Sequence, residues 1–217
     1  MKRLFDVIVS FLGLIVLSPI LILIAIAVKV NSKGPVFFRQ KRVGRSGKPF
    51  NLYKFRSMTL FQLATEGIFE PGNGSRVTAV GKFFRKSKLD ELPQLINVLI
   101  GDMSLVGPRP EVGNWVAVYP DAWKKILTVR PGVTDNASIM FQNEESILAE
   151  VDDPEQVYRE VILPKKLELY TDYVDNRSFL GDILIILRTI KVLRIYGGKA
   201  EDPVRESFSV RERIEVS

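Results

Sequence analysis

The N-terminal apolar run constrains this chain more than any other feature. Between Leu4 and Val28 the strongly polar side chains are Asp6, Ser10 and Ser18, and basic residues flank the run on both sides. About 20 consecutive apolar residues are enough for one helix to cross a bilayer. The run therefore predicts a helix that meets a membrane, with the remaining residues forming a separate folded part.

Three structures fit this run. A cleaved signal peptide is the weakest interpretation, because no small-residue cleavage site is followed by a plausible mature start. A single spanning helix is the default for its length, but Pro19 near its middle removes a helix hydrogen bond. Basic residues on both flanks also give no inside–outside asymmetry. A re-entrant helix with its break at Ser18-Pro19 satisfies both observations, while a kinked spanning helix stays open.

Composition narrows the chemistry that the chain can perform. Its 217 residues suit one domain, and they include neither cysteine nor histidine. Thiolate catalysis, cysteine zinc sites and histidine acid–base chemistry are thereby excluded. The net charge of +6 favours an anionic partner. Any catalytic or metal-binding role must fall to carboxylates, hydroxyls, lysines or tyrosines.

A basic, aromatic hairpin is predicted directly after the apolar run. VFFRQKRV and FNLYKFRSM have strand composition, and GRSGKP between them is a turn sequence. Lys54 and Arg56 on the second strand are candidate phosphate contacts. Interleaved aromatic and basic residues are typical of single-stranded nucleic-acid binding and of surfaces facing anionic lipid. The neighbouring apolar run favours lipid.

An adjacent pair of carboxylates, Asp90 and Glu91, is the strongest candidate for chemistry. The pair precedes the short helix predicted for LPQLINVLI, with Pro93 at the first helical position and Gly101 just past the end. Arg85 and Arg109 lie on either side in sequence. Carboxylates beside fixed cations suit phosphoryl transfer, but acids also complement helix starts without any catalytic role.

Three ordered motifs resemble those of one bacterial family. They are the N-terminal segment from KRLFDVIVSFLG to YKFRSM, the run LDELPQLINVLIGDMSLVGPRPE, and RPGVT at Arg130–Thr134. Together they resemble the bacterial sugar transferases called monotopic phosphoglycosyl transferases, and the resemblance extends from about Met1 to Leu193. The resemblance implies transfer of a sugar phosphate from a UDP-sugar to a polyprenol (undecaprenyl) phosphate, with UMP released, as the initiating step of surface glycan or glycoprotein assembly.

The same resemblance implies roles for individual residues. Asp90 becomes the nucleophile that forms a phosphosugar–aspartyl intermediate, and Glu91 a metal ligand or proton handler. Mg²⁺ is expected at Asp90 and Glu91, with phosphate oxygens neutralised by Arg85 and Arg109. The remaining candidate substrate contacts are Lys54, Arg56 and Arg130. Direct attack by the lipid phosphate, without a covalent intermediate, stays open.

Two positions depart from the family pattern. Asp135–Glu145 reads DNASIMFQNEE, where the commonest pattern has a Gly-Trp-Ala-Gln segment and an Asn-Gly-Arg triplet. Tyr170 stands where many members have an acid, and the nearest acid is Asp172. Because of these departures, the resemblance does not identify the sugar, and it leaves a third functional carboxylate in doubt.

The expected fold is α+β and mainly helical, in three parts: a re-entrant membrane anchor over residues 1–30, a cytoplasmic catalytic domain over 31–196, and a charged tail over 197–217. Thr59–Thr78 is predicted to be a loop. The amphipathic stretch Ser178–Leu193 predicts either an interfacial helix or a core helix. The expected location is the cytoplasmic face of the bacterial inner membrane, and the expected partners are the two substrates and membrane lipid, without nucleic acid. The oligomeric state is open, and a homodimer is compatible. A non-catalytic, membrane-anchored interaction protein is the alternative function.

Overall fold

The computed structural model describes residues 1–58 and 77–196, and has the mainly helical α+β fold that the sequence predicts. The predicted tail and nearly all of the predicted loop lie outside these residues. In chain order the helices and strands are α1 Lys2–Asn31, β1 Phe37–Val43, β2 Pro49–Phe55, α2 Ala79–Lys86, α3 Gln94–Ile100, β3 Ser104–Val106, α4 Gly113–Val118, α5 Pro120–Ile126, β4 Gly132–Thr134, α6 Asn136–Met140, α7 Glu144–Ala149, α8 Pro154–Val157, α9 Leu163–Asn176 and α10 Phe179–Tyr196.

Helix α1 continues through Pro19 for 30 residues, whereas the sequence predicts two helices separated by a break. Proline at this position removes the N–H that would bond to the carbonyl of Ile15. The Ser18 hydroxyl donates to that carbonyl at 2.7 Å and so replaces the missing donor. Within the described residues, α1 is the one helix long and apolar enough to cross a membrane.

Both ends of α1 are attached to the rest of the protein. At its start, the guanidinium of Arg3 donates to the carbonyls of Val98 and Leu99, at 2.6 and 3.0 Å. Beyond its end, the guanidinium of Arg56 donates to the carbonyls of Ser32 and Lys33, at 2.7 and 2.8 Å. Between these attachments the helix exposes many large apolar side chains, among them Phe11, Leu12, Ile15, Val16, Ile20, Ile22 and Leu23.

Buried ionic contacts reinforce the start of α1. Lys2 pairs with Asp182 of α10 at 2.5 Å, and the other Asp182 oxygen accepts from the Tyr173 hydroxyl at 2.9 Å. Asp6 accepts from the Ser104 hydroxyl at 2.7 Å and from the Leu105 N–H at 3.3 Å. We call these residues the α1 anchor cluster. It attaches the first turns of α1 to β3, α9 and α10.

The predicted hairpin is present, with β1 and β2 antiparallel and Phe38 opposite Lys54. The buried side chain of Asn97 on α3 joins this hairpin to the centre of the protein. Its Oδ1 accepts from the Tyr53 N–H at 3.0 Å, and its Nδ2 donates to the Asn51 carbonyl at 2.7 Å. These two bonds fix the backbone of β2 immediately before Lys54.

A short parallel pair, β3 with β4, brings together two motifs that are separate in the sequence. Gly107 and Gly132 approach so closely that a Cβ on Gly132 would lie 2.1 Å from the Gly107 nitrogen. The Gly132 N–H donates to the Pro108 carbonyl at 2.9 Å. Both glycines are therefore required by the packing of one backbone against the other.

The helices after β3 form the largest apolar core. Trp115 and Trp123 are both buried in it and serve packing. A π-helical turn over Tyr158–Ile162 lies directly before α9, which has Pro164 in its first turn. Along α10, Ile185 is buried while other large apolar side chains stay exposed, namely Leu180, Leu184, Leu187, Ile190 and Leu193.

Candidate active site

The acidic pair lies in a 3₁₀ turn, Leu89–Glu91, between α2 and α3. This corrects the predicted helix boundary, since α3 begins at Gln94 and Pro93 caps it instead of opening it. The turn follows Lys88, whose φ of 56° is left-handed and reverses the chain after α2. The pair is thus presented by a reversal between two helices and not by the first turn of α3.

Both oxygens of Glu91 are occupied by donors from three separate segments. Arg109 donates to Oε1 at 2.5 Å and to Oε2 at 3.0 Å in a bidentate pair. Lys54 of β2 reaches Oε1 at 3.0 Å, and the Gln94 amide reaches Oε2 at 3.0 Å. Paired, charge-assisted bonds of this kind are both strong and directional. Glu91 therefore holds two cations in fixed positions beside Asp90.

The charges of this cluster shift its ionisation. Burial by itself raises the pKa of Glu91, but Arg109 and Lys54 outweigh burial and hold that pKa well below its usual range. Burial lowers the pKa of Lys54, and Glu91 opposes this change. Glu91 is therefore an anion at neutral pH, and it keeps the cations in place.

Asp90 has the opposite environment. Its side chain is buried, and within the described residues Oδ1 has no hydrogen-bond partner. Burial and the neighbouring Glu91 raise the pKa of Asp90 to about 6, although Lys54, Lys88 and Arg85 oppose the shift. A buried carboxylate without a donor is costly, because desolvation is not compensated by a bond. The lone pairs of Oδ1 are not engaged by the described residues, so this oxygen is available to a substrate.

Arg109 reaches the pair because the backbone on either side of it is fixed. It lies between Pro108 and Pro110, and the Pro108 carbonyl accepts from the N–H of Gly132. Glu91 is the main cause of the raised pKa of Arg109, while nearby Tyr170 and Asp135 raise it further. The β3–β4 contact thus positions the guanidinium that binds Glu91.

The structure distributes the other predicted site residues differently. Lys54 and Arg109 contact Glu91, as described above. The guanidinium of Arg56 attaches the end of α1, and the Arg130 Nε donates to the Gly101 carbonyl at 2.9 Å. Among the described residues neither of these two arginines bonds to the acidic pair. Their roles as substrate contacts stay predictions.

Arg85 lies near the pair but is held by other groups. Its Nε donates to the Ser57 hydroxyl at 3.0 Å, and its Nη1 pairs with Glu145 at 3.0 Å. Sequence reasoning does not anticipate Glu145, because this contact joins positions 60 residues apart.

The sequence analysis also does not predict the roles of two further residues of the site, Gln94 and Asn97. Both are buried on α3, where Gln94 binds Glu91 and Asn97 binds the backbone of β2. The sequence does contain a signal for them, because two amide side chains three residues apart interrupt an otherwise apolar helix. Polar residues on the buried face of a helix need partners there.

The donor set agrees with a hard cation only when substrate oxygens are counted. The described residues contain no cluster of three or more acidic side chains that could hold a metal ion. Asp90 offers one unengaged oxygen, whereas both Glu91 oxygens already have cationic or amide partners. Mg²⁺ commonly binds through one or two carboxylates together with substrate phosphates, and the unengaged Asp90 oxygen fits that arrangement.

Comparison with known proteins identifies relatives of this chain. A 43% identical protein, the UDP-glucose:undecaprenyl-phosphate glucose-1-phosphate transferase of Klebsiella pneumoniae, matches 87% of this chain and 39% of its own length. The undecaprenyl-phosphate galactose phosphotransferase of Salmonella typhimurium is 38% identical over 89% of this chain and 40% of its own length. The chain thus spans about two fifths of these two relatives.

A third relative is close to this chain in length. The exopolysaccharide production protein ExoY of Sinorhizobium fredii is 34% identical over 91% of this chain and 87% of its own length. In addition, residues 1–195 match the family model described as bacterial sugar transferase. The chain belongs to the bacterial sugar transferase family, which confirms the family and the enzyme class expected from its motifs.

Proposed function

We propose that this protein transfers a sugar-1-phosphate from a UDP-sugar to undecaprenyl phosphate. The observation that carries the proposal is the buried carboxylate of Asp90, whose Oδ1 has no partner among the described residues, beside a Glu91 that fixes two cations. Two relatives are named for transfers to undecaprenyl phosphate, one of glucose-1-phosphate and one of a galactose phosphate. Since those relatives differ in sugar, the acceptor is the common element and the sugar is left to experiment.

In the first step, an Asp90 oxygen attacks the sugar-bearing phosphorus of the nucleotide. A new P–O bond forms to Asp90, the bond to the bridging diphosphate oxygen breaks, and that oxygen leaves with UMP. Lys54 and Arg109 are held by ion pairs with Glu91, the residue next to Asp90 in the chain. They stabilise negative charge that develops on the phosphoryl oxygens. The product is a phosphosugar bonded to Asp90.

In the second step, a phosphate oxygen of undecaprenyl phosphate attacks the same phosphorus. The bond to Asp90 breaks, the carboxylate is regenerated, and polyprenyl-diphospho-sugar is released. Asp90 must be ionised for the first step and is a suitable leaving group in the second. A direct attack by the lipid on the nucleotide would give the same products without bonding to Asp90.

Mg²⁺ would be held by the unengaged Asp90 oxygen and by the phosphates of the nucleotide. Glu91 would join the metal ligands only if one of its present donors, Lys54 or Gln94, moved away. The ion would supply positive charge to the diphosphate and favour departure of UMP.

The attachment of α1 supports a re-entrant membrane arrangement, in which the helix bends at Pro19 without a break and both of its ends stay on one face of the bilayer. A straight spanning helix would place its two ends on opposite sides of the bilayer. Here Arg3 near the start and Ser32 beyond the end are both bonded to the same folded part of the chain. Exposed apolar residues of α1 would then enter one leaflet, and α10 would lie along the interface with its exposed leucines towards lipid. We place the folded part at the cytoplasmic face of the inner membrane, where it meets a lipid phosphate at headgroup depth.

UMP release tests the proposal. Protein in nanodiscs is supplied with Mg²⁺ and a panel of UDP-sugars, with and without undecaprenyl phosphate, and UMP is measured. We expect lipid-dependent turnover with at least one sugar, together with a stoichiometric burst of UMP in the absence of lipid. Turnover without a burst would favour direct attack. The absence of nucleoside monophosphate release across a wider panel of nucleotide sugars would overturn the proposed activity.

A further inference from the structure

The ion pair between Arg85 and Glu145 joins the proposed site to the segment that departs from the family pattern. Arg85 lies at the end of α2, five residues before Asp90, and Glu145 lies in the first turn of α7. The Nη1 to Oε1 distance is 3.0 Å. The second arginine near the acidic pair is therefore occupied by a carboxylate of the same chain.

Glu145 is held in this position by its neighbours on α7. The adjacent Glu144 pairs with the buried Lys166 of α9, and Leu148 is buried in the helical core. The two glutamates thus have different tasks, since Glu144 faces inward and fixes α7. Glu145 remains 69% exposed in its side chain and projects to Arg85.

The contact is one that a phosphate group can displace. Exposed ion pairs are weak, because water solvates both partners and ordering the side chains costs entropy. The diphosphate of a UDP-sugar and the phosphate of UMP each carry about two negative charges against the single charge of a carboxylate, and a phosphate accepts two parallel N–H bonds from a guanidinium. Arg85 binds Glu145 through Nη1, while its Nε is held by Ser57. The Ser57 contact would keep the guanidinium in place during the exchange.

We propose that Glu145 sets the affinity for the nucleotide by competing with its phosphate for Arg85. The inference rests on the proposed function, since it assumes a phosphorylated donor at Asp90. In the free protein the Glu145 carboxylate occupies Arg85, and the incoming phosphate replaces it. The free energy needed to displace Glu145 from Arg85 reduces the affinity for the nucleotide donor and also for UMP. The same contact therefore favours product release.

The test is equilibrium binding of UMP to the full chain in nanodiscs, measured by calorimetry at low salt. For Glu145→Gln we expect the Kd for UMP to fall about two- to fivefold, which lies within the range that exposed ion pairs contribute. The KM for the active UDP-sugar should fall by a similar factor while kcat changes little, and added salt should reduce the difference.

Two further variants distinguish an effect of the Arg85–Glu145 contact from a general effect of removing a negative charge. Glu155→Gln removes the same charge from another exposed glutamate that pairs with an arginine, Arg159, at 3.3 Å, and should leave the Kd unchanged. Glu145→Asp keeps the charge but shortens the side chain by one methylene, so it should bind UMP more tightly than the unmodified protein and less tightly than Glu145→Gln.

Three results would overturn the inference. They are an unchanged or raised Kd in Glu145→Gln, an equal fall in Glu155→Gln, and a Glu145→Asp variant identical to the unmodified protein. Each is distinguishable from failure of the proposed function, in which the unmodified protein itself would release no UMP from any nucleotide sugar.

Discussion

Two ionic clusters of this protein differ in whether the oxygens of their buried aspartates have hydrogen-bond partners. In the α1 anchor cluster, all four carboxylate oxygens of Asp6 and Asp182 have hydrogen-bond partners. In the cluster around Glu91, the adjacent Asp90 is 5% exposed and its Oδ1 has no partner among the described residues. Buried polar groups are almost always bonded. An exception beside fixed cations indicates a group kept for a substrate.

The comparison also explains why the clusters tolerate burial. Lys2 is still 36% exposed in its side chain, so the charge pair with Asp182 keeps some contact with water. Glu91 is more enclosed, and two cations and an amide compensate for the lost hydration. Asp90 is compensated less, because Oδ1 has no hydrogen-bond donor among the described residues, and its pKa rises although Lys54, Lys88 and Arg85 oppose the shift. A buried carboxylate that lacks a hydrogen-bond donor, next to one whose lost hydration is replaced by bonds, is the pattern expected of an active site.

Replacing Asp90 gives the largest expected effect and tests the difference directly. Asp90→Asn keeps the shape but removes the nucleophile, so we expect UMP turnover to fall by about 10³-fold or more. Membrane association and far-ultraviolet circular dichroism should be unchanged. Near-normal turnover in this variant would contradict the assignment of Asp90 as the nucleophile.

Arg109→Lys is expected to have the next largest effect. Lysine supplies a point charge and loses the bidentate pair with Glu91, so kcat/KM should fall about 10- to 100-fold. The measurement is steady-state UMP release at saturating lipid. Arg159→Lys is the matched control, because Arg159 forms an exposed pair with Glu155. If both variants lost activity equally, the special role of the Glu91 cluster would be refuted.

Asp182→Asn addresses the anchor cluster and should affect stability more than catalysis. The variant loses the charge pair with Lys2 while the Tyr173 hydroxyl keeps an oxygen acceptor. Allowing for the exposure of Lys2, we expect a loss of about 1–2 kcal/mol and a melting temperature lower by a few degrees.

Its kcat, measured well below the melting temperature, should stay within about twofold, because the variant leaves the reacting groups intact. Asp175→Asn, at an exposed pair with Lys125, is the control and should change stability less. A large loss of kcat in folded Asp182→Asn would mean that the two clusters are coupled.

Local sequence pattern is enough to predict several features of the molecule. The hairpin with Lys54, the amphipathic helix α10 and the adjacency of Asp90 to Glu91 all follow from composition and spacing. Which arginine meets the pair is not predictable in this way, since it depends on the contact of Gly107 with Gly132, 25 residues apart in the chain by their numbers.

The expected break in α1 is absent for a different physical reason. Proline ordinarily interrupts a helix, but the hydroxyl of Ser18 satisfies the carbonyl of Ile15 that Pro19 leaves without a donor. The serine of the predicted break therefore allows the helix to continue. Side-chain to backbone bonds of this kind are accessible in an apolar setting, where an unsatisfied carbonyl is costly.

The pH dependence gives the smallest and most graded test. Asp90 must be ionised to attack, and burial with Glu91 raises its pKa to about 6. We therefore expect kcat/KM to be level above that pH and to fall about tenfold for each pH unit below it. Glu91, whose pKa is held well below its usual range, should add no step near neutrality.

The same shift should appear in stability with a defined sign. Between the ordinary aspartate pKa of 3.8 and the folded-state pKa of about 6, the folded protein keeps a proton on Asp90 that the unfolded chain has lost. Stability due to this group is therefore highest below that window and decreases as pH rises through it. Asp90→Asn lacks the effect, so its advantage over the unmodified protein should be near zero at pH ~4 and about 2 kcal/mol at pH ~7. Chemical denaturation at both pH values measures this difference, and an advantage independent of pH would show that Asp90 is not the buried, unpaired carboxylate that distinguishes this cluster from the α1 anchor.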